Sequence, residues 1–477
     1  MWGWRHRAGS VDMALHYALI EFIAQHWSWP TLDVIDMGEM NQYPPVSHTV
    51  AAVVGRLFGS SILGLHLVST ISAFATYAML FVLLRFRNPR ATLAASAALT
   101  AIVAGFESTH AFLGREIVNN FFYPQLFGEM CVFALVLLRS RFALGAASEI
   151  AAAVGATFLL GWVYPIAAVQ LAGIAVVWRA LPMAADWYAH RRLAGRDAIS
   201  FAVLLVGVAI AIVAHPRFAV VATLASNEGW VIVRVPSALV IPATLLLAAL
   251  TVALGVLFAQ RKLALCAPDA FVALCGGLAG ASLAQEAAFY LLGIGSAYGV
   301  YKHLFAVSTL LVAAGVVCVV QFTRLGASTA ADRRSTLLAR LAFAPATLIV
   351  LLANDVPWQG EWLPPMVRTE ALVRSMMTKH RDAQGHAIVL AGSRIEQFAF
   401  SMGIVRLPKD STHALIYENL STPEQRQAIV AQTPVTYAFV RPDQVRAPAC
   451  AVEIDQTAHL AMVTYACQAQ GARDASK

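Results

Sequence analysis

The chain has 477 residues, of which 59% are hydrophobic and only 13% are charged, and its mean hydropathy is +0.65. About a quarter of the residues in a soluble domain are charged, so this composition excludes an ordinary soluble protein and predicts a polytopic α-helical membrane protein. The formal net charge is +7, but the basic residues lie in short loops between apolar segments and form no patch with aromatic residues. Nucleic acid is therefore not a predicted partner.

Residues 1–60 are predicted to form an outer loop that contains two helices. The segment from Asp12 to Trp29 mixes apolar and polar residues at helical spacing, which is typical of an amphipathic helix in the plane of the membrane interface. Pro30 is expected to end this helix. A second short helix of the same kind is predicted from Ser47 to Phe58, just before the first long apolar segment.

The same outer loop concentrates polar residues beside the first span, where charge is costly. Asp12 and His16 are four residues apart and share a helix face, and a carboxylate there can act as a general base toward a hydroxyl. The run Tyr43-Pro44-Pro45 is stiff because each proline fixes its own φ and restricts the residue before it, so it could hold His48 facing the Asp12 helix. The alternative is a set of solvated charges on an interfacial helix followed by a rigid turn.

About ten membrane spans are predicted within residues 61–354, because the apolar runs approach the roughly 20 residues that cross a hydrocarbon core. They are Ser61–Leu84, Ala91–Gly105, Phe121–Leu138, Ala143–Leu160, Trp162–Trp178, Ile199–His215, Leu239–Ala259, Ala270–Leu291, His303–Phe322 and Leu337–Leu352. Basic residues fall in alternate loops: Arg85 to Arg90, Arg139 and Arg141, Arg191 to Arg196, Arg261 and Lys262, and Arg324 to Arg334. The positive-inside rule assigns these loops to the cytoplasm, which places both ends of the chain outside the cell (inner) membrane.

The start of the chain raises a question of topology. An outer location for residues 1–60 requires a crossing before them, yet the segment Met1 to Arg7 has no apolar core of the kind found in a signal peptide. Either this short tail crosses the membrane by itself, or a membrane helix precedes it in the full reading frame. The second alternative is the favoured expectation.

Residues 355–477 are predicted to form a small extracytoplasmic α/β domain. Strands are expected at His386–Ala391, Ala414–Tyr417 and Val435–Val440, and a helix with proline in its first turn is expected from Ser421. Cys450 and Cys467 could form a disulfide in an oxidising compartment, although their spacing does not show that they meet.

The order of features in the first outer loop resembles that of a known family. Asp12 with His16, an interfacial helix, a loop, the run from Tyr43 to His48, a second short helix and then a span resemble the first outer loop of GT-C fold glycosyltransferases, which use polyprenyl-phosphate-linked sugars. The segment Asn119 to Gln125 also resembles the entry to a later membrane helix in such enzymes. The resemblance implies a GT-C-like fold with outer interfacial helices and an extracytoplasmic domain.

The resemblance also implies a reaction. Asp12 would be the general base that removes the proton from an acceptor hydroxyl, with inversion at the anomeric carbon, and His16 would belong to the same catalytic set. The donor would be a polyprenyl-phosphate-linked sugar and the acceptor a cell-envelope glycan, lipid or protein. A cation should stabilise the leaving phosphate, for which Lys302 is the first candidate, followed by Arg115 and Arg234.

Further residues are candidates for substrate binding, and for His48 an interfacial histidine is the structural alternative. The candidate substrate-binding residues are Tyr43, His48, Arg115, Glu286, Tyr301 and Lys302. Lys302 could instead be an interfacial lysine that extends toward water, and Arg115 could pair locally with Glu116. Glu129, inside a predicted span, is either functional or a hydrogen-bonded structural residue.

Two questions of function stay open at the level of sequence. Asp33, Asp36 and Glu39 could bind a divalent metal through oxygen ligands, although loop capping and solvation explain them more simply, and no cofactor is certain. The main alternative function is a membrane transporter or lipid flippase of cell-envelope precursors. Against it, the sequence shows no repeated halves and few charges at the span centres.

Overall fold

The computed structural model describes a large part of the chain, in segments. They are residues 11–30, 40–41, 43–106, 111–117, 122–142, 144–191, 194–217, 231, 235, 239–323, 342–353, 363–380, 386–391, 400, 435–444 and 451–465. The chain divides into two compact units, one made of Met1–Val68 with Trp358–Lys477 and the other of Ser69–Pro357. The first and last segments of the sequence thus belong to one unit.

Helices dominate both units. Before the sheet they are α1 (Val11–His26), α2 (Val46–Phe58), α3 (Ser61–Leu83), α4 (Pro89–Gly105), α5 (Tyr123–Arg141), α6 (Ala146–Val163), α7 (Pro165–His190), α8 (Gly195–Val213), α9 (Val240–Ala259), α10 (Pro268–Leu292), α11 (Ala297–Lys302), α12 (Leu304–Phe322), α13 (Phe343–Ala353) and α14 (Leu363–Lys379). Each of the ten predicted spans coincides with or overlaps one of these helices. Seven helices of the described chain, α3, α6, α7, α8, α9, α10 and α12, are long and apolar enough to cross a membrane. The prediction of a polytopic helical membrane protein is confirmed.

Local signals in the sequence set where the span helices begin. A proline occupies the first turn of helices α4, α5, α7 and α10. Proline is favourable there because a backbone N–H in the first turn has no partner within the helix, and because the φ of proline is already close to the helical value. At α4 the Asn88 side chain also accepts a hydrogen bond from the backbone N–H of Arg90 at 3.0 Å, which satisfies one of the orphan donors of the first turn.

The second unit is held together by close helix crossings. Helices α7 and α10 approach so closely that a Cβ on Gly173 would lie 2.7 Å from the Gly277 carbonyl oxygen, and one on Gly277 would lie 2.3 Å from the backbone nitrogen of Ile174. In lipid, the burial of apolar surface does not drive helices together. Small residues at a crossing let the two backbones approach closely, and the resulting dispersion contacts stabilise the helix pair.

The basic loops of the second unit meet at one end. The backbone N–H of Arg87 donates to the Ala264 carbonyl at 2.9 Å, in the loop that contains Arg261 and Lys262. Gln321, at the end of α12, donates to the Lys262 carbonyl at 3.0 Å. Nearby, the Trp178 indole donates to Asp269 at 3.2 Å, and the Arg139 guanidinium lies 5.2 Å from the Trp178 ring. Loops that the sequence assigns to one side therefore share one end of this unit.

The first unit begins with α1, where the structure differs from the predicted amphipathic helix. The helix ends at His26, one turn before Pro30, and Trp27 adopts a positive φ of 52°. His16 and Glu21, which the sequence assigns to a polar face, are 5% and 2% exposed. They are buried because side chains from α2, α3 and α14 supply hydrogen bonds to them, as described below.

The first unit also contains a four-stranded sheet of order β1-β2-β4-β3. Its strands are β1 (His386–Val389), β2 (Val435–Val440), β3 (Ala451–Gln456) and β4 (Ala461–Tyr465). β1 and β2 are parallel, as in an α/β layer, and β4 pairs antiparallel with both β2 and β3. The strands predicted at His386 and Val435 are confirmed, whereas the β3–β4 hairpin was not predicted. The strand predicted at Ala414–Tyr417, the helix from Ser421 and both Cys450 and Cys467 lie outside the described residues.

Candidate functional site

Helix α1 presents the candidate base. Asp12 lies in its first turn and is partly exposed, and a carboxylate is favourable there because the helix dipole is positive at its N-terminus. His16 follows one turn later and is 5% exposed. The two side chains leave α1 on the same face, as their spacing predicts.

The structure brings His16 and His48 into direct contact. His16 Nδ1 and His48 Nε2 are 2.9 Å apart, and His48 Nδ1 lies 3.1 Å from the Pro44 carbonyl oxygen. A carbonyl only accepts, so His48 carries its proton on Nδ1 and its Nε2 must accept from His16 Nδ1–H. The Ser47 hydroxyl, 3.3 Å from His48 Nδ1, is compatible because it can also accept. When His16 is neutral, its lone pair is therefore on Nε2.

Burial keeps the inner histidine neutral. His48 is fully buried, and this desolvation lowers the pKa of its imidazole to about 3. The ring of Tyr43 stands edge-on to both histidines, with centroid distances of 5.2 Å to His16 and 5.7 Å to His48. The stiff Tyr-Pro-Pro run thus supplies both an aromatic wall and the carbonyl that fixes the tautomer of His48.

A second polar cluster of the same unit surrounds Glu370 of α14. Its Oε1 accepts from the Ser61 backbone N–H at 2.9 Å and from the Tyr17 hydroxyl at 3.2 Å, and its Oε2 accepts from the Ser60 hydroxyl. Arg374, one turn later, pairs with Glu370 at 2.9 Å. Burial raises the pKa of Glu370 to about 7, with Arg374 acting in the opposite direction.

Glu21 of α1 completes this cluster. Its carboxylate pairs with Arg374, and it accepts from the Ser61 hydroxyl at 2.6 Å and from the Gln25 amide at 2.8 Å. A cavity of about 680 Å³ opens beside it. We define the Glu21 cavity by its lining residues Glu21, Ala24, Gln25, Arg56, Arg374 and Thr378 together with nearby backbone.

Lys302, the predicted phosphate-binding cation, belongs to the second unit. Its side chain is 5% exposed, and its ammonium lies 4.2 Å from the ring centroid of Tyr298 and 4.9 Å from that of Phe122. It also donates to the Tyr164 hydroxyl at 3.2 Å. The Gln125 amide donates to the Lys302 carbonyl at 2.6 Å, which fixes the backbone of α11. These aromatic faces stabilise a cation, so the interfacial alternative of a water-directed lysine does not describe this side chain.

Two other predicted binding residues, Glu286 and Tyr301, contact neighbouring helices of the second unit. Glu286 accepts from Thr244 at 2.7 Å and from Ser282 at 3.1 Å, which joins α9 to α10. Tyr301 packs against an apolar cluster that contains Val300 and Leu304.

Arg115 is 3% exposed and precedes a fully buried carboxyl group. Among the described residues, none donates a hydrogen bond to either side-chain oxygen of Glu116. Burial, and then the nearby Glu129, raise the pKa of Glu116 well above its ordinary range. Glu129 itself accepts from the Gln125 amide at 3.1 Å. Arg234 and the possible metal ligands Asp33, Asp36 and Glu39 lie outside the described residues.

Glu370 and Arg374 are not among the site residues predicted from the sequence. Their spacing of four residues is a local signal of a helical ion pair, but nothing local shows that they meet Glu21 and Ser61. Arg56, which also lines the Glu21 cavity, has no predicted role either.

The chain is similar to a membrane protein of known structure. No family model and no curated protein matches the chain. The crystal structure of ArnT from Cupriavidus metallidurans bound to undecaprenyl phosphate is similar, with 13% sequence identity over 96% of this chain and 94% of that chain and a TM-score of 0.39. By its own helices, this chain is a multi-pass α-helical membrane protein with a small α/β part near its C-terminus.

Proposed function

We propose that the protein is a membrane glycosyltransferase that moves a sugar from a polyprenyl-phosphate donor to an acceptor hydroxyl at the outer face of the membrane. The observation that carries this proposal is the chain of hydrogen bonds from Pro44 through His48 to His16, which ends one helical turn from Asp12. In this chain the neutral His48 fixes the position of His16, and both His16 and Asp12 can accept a proton. Such a set suits the activation of a hydroxyl.

In the proposed reaction Asp12 takes the proton of the acceptor hydroxyl. The acceptor oxygen forms a bond to the anomeric carbon from the face opposite the leaving group, so the configuration inverts. The bond between that carbon and the phosphate oxygen breaks, and the polyprenyl phosphate leaves with the electron pair. His16, which His48 holds through Nδ1, would help to orient the acceptor hydroxyl.

Lys302 is the proposed contact for the phosphate of the donor. Its charge is already held in place by aromatic rings and the Tyr164 hydroxyl, so little side-chain entropy remains to be lost when a phosphate binds. A fixed cation stabilises the negative charge that grows on a leaving phosphate.

The basic end of the second unit supports a cytoplasmic side for those loops under the positive-inside rule. The segment with Lys302 connects α10 to α12, and both of these helices have their other ends in the basic loops. Lys302 would then face the outer side, where a polyprenyl-linked sugar is presented to cell-envelope acceptors.

Replacing Asp12 tests the assigned base. In Asp12→Asn the side chain keeps its size but cannot accept the proton, so sugar transfer should fall by about 10²–10⁴-fold while the protein still inserts and purifies. Transfer is measured with purified protein and a panel of synthetic polyprenyl-phosphate sugars. The matched control is Asp443→Asn, at an exposed aspartate of the same unit. Full activity in Asp12→Asn would contradict the assignment.

Replacing Lys302 tests the donor contact. Lys302→Met keeps the apolar stem but removes the charge, so the KM for the donor should rise by about tenfold or more, since a charge-assisted hydrogen bond contributes about 1.5–3 kcal/mol. Lys262→Met, in the basic loop, is the control and should leave the donor KM unchanged. An unchanged donor KM in Lys302→Met would remove this residue from the site.

The same preparation separates the proposal from the alternative of a lipid flippase. In proteoliposomes, a transferase converts the donor only when an acceptor is supplied, and the conversion depends on Asp12. Movement of the polyprenyl-phosphate sugar across the bilayer without any transfer would favour the flippase instead.

A further inference from the structure

The Glu21 cavity is large enough for a small molecule and lies wholly within the first unit. Its volume of about 680 Å³ falls within the range of roughly 300–1,000 Å³ that is usual for ligand sites. Helices α1, α2 and α14 supply its walls. Most ligand pockets are lined mainly by apolar groups, whereas this cavity has charged and hydrogen-bonding side chains on each wall.

The charged side chains of the cavity are held in position. Arg374 pairs with Glu21 and Glu370 and donates to the Gly59 carbonyl at 3.0 Å and to the Ser61 hydroxyl at 3.2 Å. On the other side, Arg56 donates to the Ala24 carbonyl at 2.8 Å and lies over the Trp27 ring at 5.2 Å. A guanidinium has five N–H donors, so these bonds leave both arginines able to donate to a ligand. Preorganised donors of this kind reduce the entropy lost on binding.

Part of the cavity wall is backbone. Gly59, which ends α2, has a φ of 73°, a left-handed conformation that favours glycine. Gly55 has no room for a side chain, because a Cβ there would lie 2.9 Å from the Ser60 carbonyl oxygen. Both glycines lie where α2 turns into α3, and both line the cavity.

The balance of groups points to the chemistry of the ligand. Two guanidinium groups and the Gln25 amide can donate, the Glu21 carboxylate can accept, and the Thr378 hydroxyl can do either. Arg374 is paired with Glu21, which reduces the positive charge of the wall and disfavours a strongly anionic ligand. A ligand with many hydroxyl groups, each both donor and acceptor, matches such a wall.

We propose that the Glu21 cavity binds a neutral, hydroxyl-rich saccharide, and that this saccharide is part of the acceptor of the glycosyl transfer. The second half of the proposal rests on the proposed function, whereas saccharide binding itself does not. The cavity would thus select the acceptor by its hydroxyl pattern, separately from the donor contact at Lys302.

The test uses the full-length protein in lipid nanodiscs and two neutral probes, methyl β-D-glucopyranoside and methyl β-D-galactopyranoside. Binding is followed by saturation-transfer difference NMR, with inorganic phosphate as the anionic comparison.

Ala24→Leu fills the cavity from α1 and should weaken saccharide binding by about tenfold or more. Thr378→Val removes one hydroxyl at nearly constant volume and should weaken it by roughly threefold to tenfold, the worth of one hydrogen bond. Val53→Leu, at an exposed position of α2 outside the cavity, should change nothing.

The possible results separate this inference from the proposed function. Saturable binding of a glycoside that weakens in both cavity variants supports the cavity site, even if no transfer reaction is found. An accompanying rise in the acceptor KM, with the donor KM unchanged, identifies the saccharide as the acceptor. The inference is overturned if neither glycoside binds, if binding is the same in Ala24→Leu and Thr378→Val as in the wild type, or if phosphate binds in the cavity and displaces the glycosides.

Discussion

At the scale of single residues, burial determines the protonation state of the polar groups in the first unit. Burial lowers the pKa of His48 to about 3, so this imidazole is neutral near neutral pH, and it is hydrogen-bonded to His16. The sequence predicted that the Tyr-Pro-Pro run holds His48 in place. It could not predict that His48 contacts a histidine rather than a carboxylate or a sugar, because that depends on how α1 and α2 pack.

Glu370 makes the stability of the first unit depend on pH. Burial raises the pKa of its carboxyl group from the ordinary 4.5 to about 7, so the folded chain holds this proton more tightly than the unfolded chain. The resulting stabilisation is fully present below about pH 4.5 and is lost as the pH rises through about 7. A shift of this size is worth at most about 3 kcal/mol. We therefore expect the titration of Glu370 to make the thermal midpoint of the wild type fall as the pH rises from 5 to 8.

The variant Glu370→Gln isolates this contribution, because its amide resembles the protonated carboxyl group and does not titrate. Its thermal midpoint in detergent should depend less on pH between 5 and 8 than that of the wild type. Glu453→Gln, at an exposed position of β3, is the matched control and should keep the wild-type dependence. The same pH dependence in Glu370→Gln as in the wild type would show that Glu370 is ionised throughout this range.

At the scale of secondary-structure elements, the helices were largely predictable and their contacts were not. Apolar runs of span length and prolines in first turns are local features, so most spans were found with shifts of a few residues. Helix α7 is the exception, because it continues to His190 rather than ending near Trp178. The β3–β4 hairpin was missed although Val452 and Ile454 alternate with polar residues. In α1, the predicted polar face is buried because partners from distant parts of the chain satisfy it.

The crossing of α7 and α10 gives a prediction at this scale. A methyl group at Gly277 would meet the Ile174 backbone at 2.3 Å, so Gly277→Ala should force the two helices apart. We expect a loss of about 2–4 kcal/mol, measured as a lower thermal midpoint and a reduced yield of monodisperse protein. Gly280→Ala, less than one turn further along α10, meets nothing within 4 Å and should be neutral. Equal stability of the two variants would contradict the observed crossing.

At the scale of the whole molecule, the alternation of basic loops predicts the orientation of the protein in the membrane. Cys266 lies in the basic end of the second unit, where its N–H donates to the Arg85 carbonyl at 2.7 Å, and its side chain is exposed. A membrane-impermeant maleimide should therefore label Cys266 in inverted vesicles but not in intact cells or spheroplasts. The other cysteines are replaced by serine for this measurement.

A cysteine introduced into the first unit should be accessible from the outer side. Ser28 is exposed and lies in the predicted outer loop, so Ser28→Cys should be labelled in intact spheroplasts. Labelling of Cys266 from outside would contradict the predicted orientation of the second unit.

The sequence by itself determined the membrane class, the positions of the span helices and the sharing of one end by the basic loops. These properties follow from hydropathy, helix length and loop charge, which are read within a few tens of residues. The tertiary structure alone decided that Glu21 meets Arg374, 353 residues away, and that a polar cavity opens beside them. A buried polar side chain takes its partner from whichever element packs against it, and that choice depends on the packing of the whole unit rather than on any local pattern.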